Sequence, residues 1–112
     1  MKHRAFGNLD FKVSALGFGA MRLPIVGKDA ANIDESEATR MIRYAVDHGV
    51  NYVDTAYPYH RGNSEPFLKK ALADGYRKKV KLVTKMPTWL IKTREDMDKH
   101  FDEQLAQVGV DQ

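Results

Sequence analysis

The sequence of 112 residues contains no cysteine, so within this stretch it can form no disulfide and no thiolate site for zinc or an iron–sulfur cluster. It has no apolar run of the ~18 residues that a membrane-spanning helix needs. Its first residues, Met1-Lys2-His3-Arg4-Ala5-Phe6, lack the apolar core of a signal peptide. These absences lead us to expect a reducing, cytoplasmic setting without a membrane partner. Neither sign of charge dominates: 18 Lys and Arg against 15 Asp and Glu leave a formal net charge of +3. The small surplus gathers at Lys69, Lys70, Arg77, Lys78, Lys79, Lys81 and Lys85, opposed by Asp74. That cluster lacks regularly interleaved aromatics and any nucleic-acid-binding motif, so a solvated helix end and loop is expected, with no nucleic-acid partner. No His and carboxylate cluster has metal-ligand spacing, and no Walker-type Gly-Lys-Ser/Thr element appears. Gly17-Phe18-Gly19-Ala20-Met21-Arg22 holds two of the three glycines of the Rossmann fingerprint, so a dinucleotide would have to bind without it.

What is present is a globular composition, 43% hydrophobic and 29% charged. His3–Phe6 and Phe11–Val13 flank the turn-rich Gly7-Asn8-Leu9-Asp10 and read as a hairpin. Leu16-Gly17-Phe18-Gly19-Ala20-Met21 reads as a first parallel-type strand, its glycines marking close approach of another backbone or a ligand. Asp34 with Glu37 predicts a capping box. Ala38, Met41, Ile42, Ala45 and Val46 then trace one apolar helical stripe, and Gly49 stands where a left-handed C-cap belongs. A short strand, Asn51-Tyr52-Val53-Asp54, comes next. Ser64 is expected to cap a second helix that buries Phe67, Leu68, Ala71 and Leu72 and ends at Gly75. Val80–Lys85 reads as a third strand. Thr93 with Asp96 predicts a third helix whose face is Met97, Phe101, Leu105 and Val108, ended by Gly109. Val110 looks like the start of a fourth strand. A hairpin followed by three strand–helix units, with strands about 30 residues apart, is the arithmetic of a parallel sheet. An open doubly wound sheet and a (β/α) barrel both satisfy it.

In either architecture, chemistry collects beyond the carboxyl ends of the strands. Asp54 and Lys85 stand at two of those ends, and Tyr59 lies in the loop after Asp54. A carboxylate at the end of a buried strand needs a partner, and Lys85 on the adjacent strand is available. Spacing alone also accommodates a structural ion pair. With Tyr59 the set gains a chemical meaning, because an ammonium beside a phenol favours phenolate and makes the phenol a better proton donor near neutral pH. Asp54 would hold Lys85 in place, and the three would protonate a carbonyl oxygen as hydride reaches its carbon. Tyr57 is a competing donor. His60 adjoins Tyr59 and could touch a substrate, although a lone loop histidine is ordinarily exposed. Trp89 would line a mouth or anchor a loop.

These residues resemble the N-terminal part of the aldo/keto reductases. The resemblance rests on Ser14–Pro24, on His48-Gly49-Val50-Asn51-Tyr52-Val53-Asp54-Thr55-Ala56, on Tyr59 with Gly62-Asn63-Ser64-Glu65, and on Val83-Thr84-Lys85. The wording of Met21-Arg22-Leu23-Pro24 and Tyr57-Pro58-Tyr59-His60 is most similar to the prokaryotic predicted-oxidoreductase branch, which often carries a 4Fe-4S ferredoxin-like extension at its C-terminus. The resemblance implies an α/β fold: an N-terminal β-hairpin followed by the first three βα units of a (β/α)8 TIM barrel, incomplete because a whole barrel takes about 250 residues. Residues 1–112 would be the N-terminal part of an NADP-dependent oxidoreductase domain. The implied activity is NAD(P)H-dependent reduction of a small-molecule aldehyde or ketone. NADPH or NADH is the implied cofactor, and any iron–sulfur cluster would lie in a C-terminal region outside this stretch. Asp54, Tyr59 and Lys85 fall on three members of the family's catalytic tetrad, with Tyr59 the general acid. Gly19, Ala20 and Met21 fall on the loop that meets the nicotinamide side of the cofactor, beside Asp54. The tetrad's histidine belongs after the fourth strand. His60 and Arg61 depart from the family pattern, since Gly usually follows the tyrosine directly, and Lys69 stands where many members have Gly. The alternative is a non-catalytic partial barrel that acts as a binding or assembly module.

Overall fold

The computed structural model describes residues 1–110. Strands β1 (His3–Ala5) and β2 (Lys12–Ser14) pair antiparallel with His3 opposite Ser14, so the expected hairpin forms. Three further strands, β3 (Phe18–Gly19), β4 (Tyr52–Asp54) and β5 (Lys81–Val83), make a parallel sheet in the order β3-β4-β5. Between and after them lie the helices α1 (Glu35–Asp47), α2 (Ser64–Ala71) and α3 (Arg94–Val108). The hairpin is tied to the residue that enters β4: the Asn51 side chain accepts from the Ser14 amide at 2.8 Å and donates to the Lys12 carbonyl at 2.8 Å. It therefore sits at the amino end of the sheet, opposite the end where Asp54 and Lys85 stand.

Alternation along β4 decides which residues are core. Val53 is fully buried, while Tyr52 and Asp54 point to the other face and stay partly accessible. Val53 joins Ala38, Ile42, Phe67 and Leu68 in one apolar cluster between sheet and helices. Helix α1 delivers its stripe as its spacing predicts, with Ala38, Ile42 and Val46 buried, although Met41 stays exposed. After α1 the chain turns at Gly49 with φ 99°, a left-handed conformation that also brings the chain so close to Met1 that a Cβ would lie 2.8 Å from that residue's own Cβ.

Several boundaries differ from the sequence expectations. The strand expected over Leu16–Met21 shrinks to β3, since Gly17 and Gly19 carry no side chain to pack and Leu16 is exposed. The strand expected over Val80–Lys85 keeps only Lys81–Val83. Thr84 and Lys85 leave the ladder, and their side chains turn to other partners. The capping box at Asp34 is half made: Asp34 accepts from the Glu37 amide at 3.1 Å, but the Glu37 carboxylate is taken by Arg40. Ser64 does not cap α2. Asn63 occupies that position without a side-chain bond to the helix, and Ser64 lies one residue inside, fully buried. Helix α2 stops at Ala71 rather than at Gly75: Asp74 and Gly75 already take left-handed backbone, φ 58° and 85°, and the Arg43 guanidinium donates to the Ala71 carbonyl at 3.0 Å and to Asp74 at 2.9 Å. The box at Thr93 and Asp96 forms in full.

The face expected on α3 is only half covered. Val108 is buried and Leu105 half-buried, whereas Met97 and Phe101 are exposed, Phe101 by 54%. Among the described residues no element lies beyond α3 to receive them. Val110 is not in a strand, and the remainder of the expected fourth strand falls on residues 111–112, outside the described residues. The molecule is a slab of 42 × 41 × 22 Å with a radius of gyration of 14.6 Å, against about 13 Å for a closed globule of this length. No helix among the described residues is long and apolar enough to cross a membrane.

The basic cluster is largely engaged with its own protein. Lys79 lies over the Tyr76 ring at 4.3 Å, as does Arg43 of α1 at 4.7 Å, Lys81 lies 5.0 Å from the Phe11 centroid, and Arg77 donates to the Val80 carbonyl at 3.0 Å. Lys79 also reaches Asp47 at 3.4 Å, and Lys70 pairs with Glu35.

Ile42 is fully buried at the centre of the cluster. We expect Ile42→Ala to destabilise the full-length protein by about 2–5 kcal/mol, read as a lower urea midpoint at unchanged slope. Met41→Ala, one residue away on the exposed side, should move the midpoint far less.

Candidate active site

The sheet register brings the carboxyl ends together. Gly19 pairs with Asp54, and Asp54 with Val83. The Ala20 amide donates to the Asp54 carbonyl at 2.8 Å, and the Thr55 amide to the Val83 carbonyl at 2.8 Å. Lys85 then turns back across β4. Its Nζ donates to Asp54 Oδ1 at 2.6 Å and to the Thr55 carbonyl at 2.8 Å. The side chains of Lys85 and Asp54 are 49% and 35% exposed, so this ion pair sits at an open rim. The ammonium is also 5.1 Å from the centroid of the Tyr59 ring. Asp54, Tyr59 and Lys85 are thus gathered at one point, although they come from separate segments.

Partial burial pulls the Lys85 ammonium toward deprotonation. The Asp54 carboxylate, and after it the Tyr59 phenol, outweigh that and hold the lysine above its ordinary value. Two of the three ammonium donors are occupied by Asp54 and Thr55. Tyr57 goes elsewhere: its ring meets His100 of α3 edge-on at 5.7 Å. Trp89 is exposed and has no aromatic partner among the described residues.

The three residues proposed for the cofactor side separate. Ala20 is fully buried, with its amide committed to Asp54. Gly19 is exposed, and the space a Cβ would occupy there has no atom within 4 Å. Met21 is 56% exposed. Gly19 and Met21 therefore leave open surface near Asp54, whereas Ala20 does not.

His60 is not the exposed loop residue that its sequence context suggests. It is 7% exposed. Its Nε2 accepts from the Leu23 amide at 3.0 Å and its Nδ1 donates to the Ala30 carbonyl at 2.7 Å. Accepting at Nε2 requires the neutral ring with its proton on Nδ1. His60 and Arg61 both adopt left-handed backbone, φ 53° and 54°, followed by Gly62 at 88°. The two residues that depart from the family pattern thus supply the turn conformation at which glycine is usual. The Asn63 amide adds a bond to the Ala31 carbonyl at 2.8 Å. Together these bonds clamp the Tyr59 turn to the excursion between β3 and α1.

A second polar cluster lies behind the ion pair. Glu65 and Ser64, both fully buried, and Gln104, 4% exposed, connect α2, α3 and the ends of β4 and β5. Sequence reasoning missed this group. Gln104 had a visible signal, since it sits at helical spacing between Phe101 and Val108 and so interrupts an apolar stripe with an amide.

Comparison with known proteins agrees with this architecture. The sequence profile of the aldo/keto reductase family matches residues 15–112, and the chain belongs to that family. It is similar to a probable aldo-keto reductase of Glycine max, 35% identical over 79 residues that make up 70% of this chain and 22% of the relative. L-galactose dehydrogenase of Arabidopsis thaliana is 43% identical over 70 residues, 62% of this chain and 21% of that protein. Among solved structures, an aldo-keto reductase of Bacillus halodurans in its holo form aligns with a TM-score of 0.76 at 30% identity, over 99% of this chain and 37% of its own. An aldo-keto reductase of Klebsiella pneumoniae in complex with NADPH aligns with a TM-score of 0.71 at 26% identity, over 89% of this chain and 33% of its own. The chain spans about a fifth of the length of these curated relatives. The hairpin and three βα units are accordingly part of a barrel of the aldo-keto reductase type, here incomplete, and the doubly wound alternative is set aside.

The raised Lys85 value fixes the sign of a pH effect. A cation stabilised by folding contributes fully below its unfolded-state value, and the contribution is lost as pH rises through the folded value. The destabilisation caused by Asp54→Asn should therefore be about 0.2–1 kcal/mol at neutral pH, small because the pair is half exposed. On the alkaline side it should begin to shrink once pH passes the ordinary lysine range. Denaturation midpoints of wild type and variant across alkaline pH would show this, and a difference that stays constant there would contradict it.

Proposed function

We propose that this rim is the hydride-transfer site of an NAD(P)H-dependent carbonyl reductase, with Asp54, Tyr59 and Lys85 acting on a small aldehyde or ketone. The observation that carries the reading is the Lys85 ammonium, bonded to Asp54 at 2.6 Å and set 5.1 Å from the Tyr59 ring. Family membership and the NADPH complex of the Klebsiella relative support it. So does the name of the Arabidopsis relative, a dehydrogenase, since the same site would run alcohol oxidation in reverse.

The roles follow from the chemistry of each group. Reducing a carbonyl places a pair of electrons on carbon and leaves negative charge on oxygen, which must receive a proton. Tyr59 supplies that proton as the general acid. Lys85 stabilises the phenolate that Tyr59 becomes, and with two donors already committed it keeps one N–H for the phenol. Asp54 holds the lysine charged and pointed at the rim. Gly19 leaves the space for a flat ring and Met21 offers apolar surface beside it, whereas Ala20 enters through its backbone alone. A nicotinamide cofactor, when bound, supplies the hydride. In this reading residues 1–112 are the N-terminal part of the reductase domain, and NADPH is favoured over NADH by the Klebsiella complex.

In the full-length protein, Tyr59→Phe should lower kcat/KM for NADPH-linked carbonyl reduction by about 10²- to 10⁴-fold while leaving NADPH affinity within a few-fold. Lys85→Met should act in the same direction. Tyr57→Phe, the internal control, should turn over like wild type. Wild-type turnover in Tyr59→Phe would end the proposal.

A further inference from the structure

The two residues that open α2 do not serve the helix. An N-terminal serine and glutamate ordinarily satisfy free amides or face solvent, yet Ser64 and Glu65 are both fully buried and turned toward the sheet. The Ser64 hydroxyl shares a hydrogen bond of 2.8 Å with the Thr55 hydroxyl, next to Asp54, and lies 3.5 Å from the Ala20 carbonyl. Glu65 Oε1 accepts from the Thr84 hydroxyl at 2.5 Å, next to Lys85. The same oxygen accepts from the Gln104 amide at 2.7 Å, and that amide also donates to the Lys85 carbonyl at 2.9 Å. One turn of helix thus grips the chain beside both members of the ion pair. Glu65 Oε2 is buried without a partner among the described residues. Burying a carboxylate oxygen without a partner is costly, and that cost is set against the two hydrogen bonds that the other oxygen accepts.

We propose that Ser64 and Glu65, with Gln104, are positioning residues that set the spacing and direction of Asp54 and Lys85 at the reaction site. The inference rests on the function proposed above. Thr84 and Lys85 have already left the β5 ladder, so no sheet bond fixes where the lysine starts. The Glu65–Thr84 and Gln104–Lys85 bonds do that instead. From the other side, Ser64 fixes Thr55, whose carbonyl is itself a ligand of the Lys85 ammonium. Misplacing a reacting group by about 1 Å costs on the order of 100-fold in rate, so a loosened lysine should be felt in kcat before it is felt in binding.

The test uses the full-length protein with Glu65→Leu, Glu65→Gln, Gln104→Met and Ser64→Ala. Glu65→Gln keeps an oxygen that can accept from both Thr84 and Gln104, and should stay within about threefold of wild-type kcat. Glu65→Leu and Gln104→Met should lower kcat about 10- to 100-fold with NADPH dissociation constants within about threefold, and Ser64→Ala should do so less. The second readout needs no turnover. The ¹⁵N resonance of the Lys85 ammonium, followed against pH, should titrate closer to an ordinary lysine in Glu65→Leu and Gln104→Met and remain as in wild type in Glu65→Gln. A folded Glu65→Leu or Gln104→Met with unchanged kcat and unchanged Lys85 titration overturns the proposal. So does a Glu65→Gln variant as impaired as Glu65→Leu, which would mark the charge rather than the anchoring oxygen. If Glu65→Leu does not fold, Gln104→Met and Ser64→Ala decide by the same criteria. If the wild type reduces no carbonyl but the Lys85 titration responds as stated, the positioning role stands and the proposed reaction falls.

Discussion

Strand β4 has no free backbone edge: β3 and β5 both pair with it in parallel register, and the rest of the structure follows from that constraint. Pairing on both sides fixes its direction, and the two-residue period then sends Val53 into the helices and Asp54 to the opposite face. Asp54 has its own amide and carbonyl committed to the sheet, so its carboxylate is aimed by the ladder rather than by a flexible loop. Lys85 reaches it from the neighbouring strand. A half-exposed pair of this kind contributes about 0.2–1 kcal/mol, too little to organise a sheet. The fold holds the pair in place, and the pair does not hold the fold.

The Tyr59 turn shows a different balance. Left-handed backbone at His60 and Arg61 costs roughly 1–2 kcal/mol for each residue. Against this stand the two hydrogen bonds of the buried His60 ring and that of Asn63, each contributing about 0.5–1.5 kcal/mol. Opposing terms of similar size mean that the turn persists because it is fastened to the excursion between β3 and α1, not because it is locally favourable. Tyr59 inherits its position from that fastening. The same excursion begins at Met21, so the acid side and the cofactor side of the proposed site are mechanically one piece.

At the far edge the constraints relax. The outer edge of β5 is unpaired among the described residues, and Met97 and Phe101 project from α3 without cover. A closed barrel removes every such edge, whereas three strands of one cannot. The buried polar cluster of Ser64, Glu65 and Gln104 shows how order is nevertheless kept at the last strand end. Side-chain bonds from two helices replace the ladder bonds that stop after Val83.

Much of this was legible in the sequence. The helices α1 and α3 with their caps, the hairpin, the order of the βα units, and Asp54, Tyr59 and Lys85 as candidates all follow from periodicity and spacing, since these are set by bonds between residues a few positions apart. The aldo/keto reductase resemblance could be read from short local motifs for the same reason. Tertiary structure alone decided that Tyr57 turns to His100, that His60 is a buried clamp, that Ser64 serves the sheet instead of capping its helix, and that Phe101 lies exposed. Each of those outcomes depends on distances between segments roughly 10 to 40 residues apart, which packing sets and which no local pattern encodes.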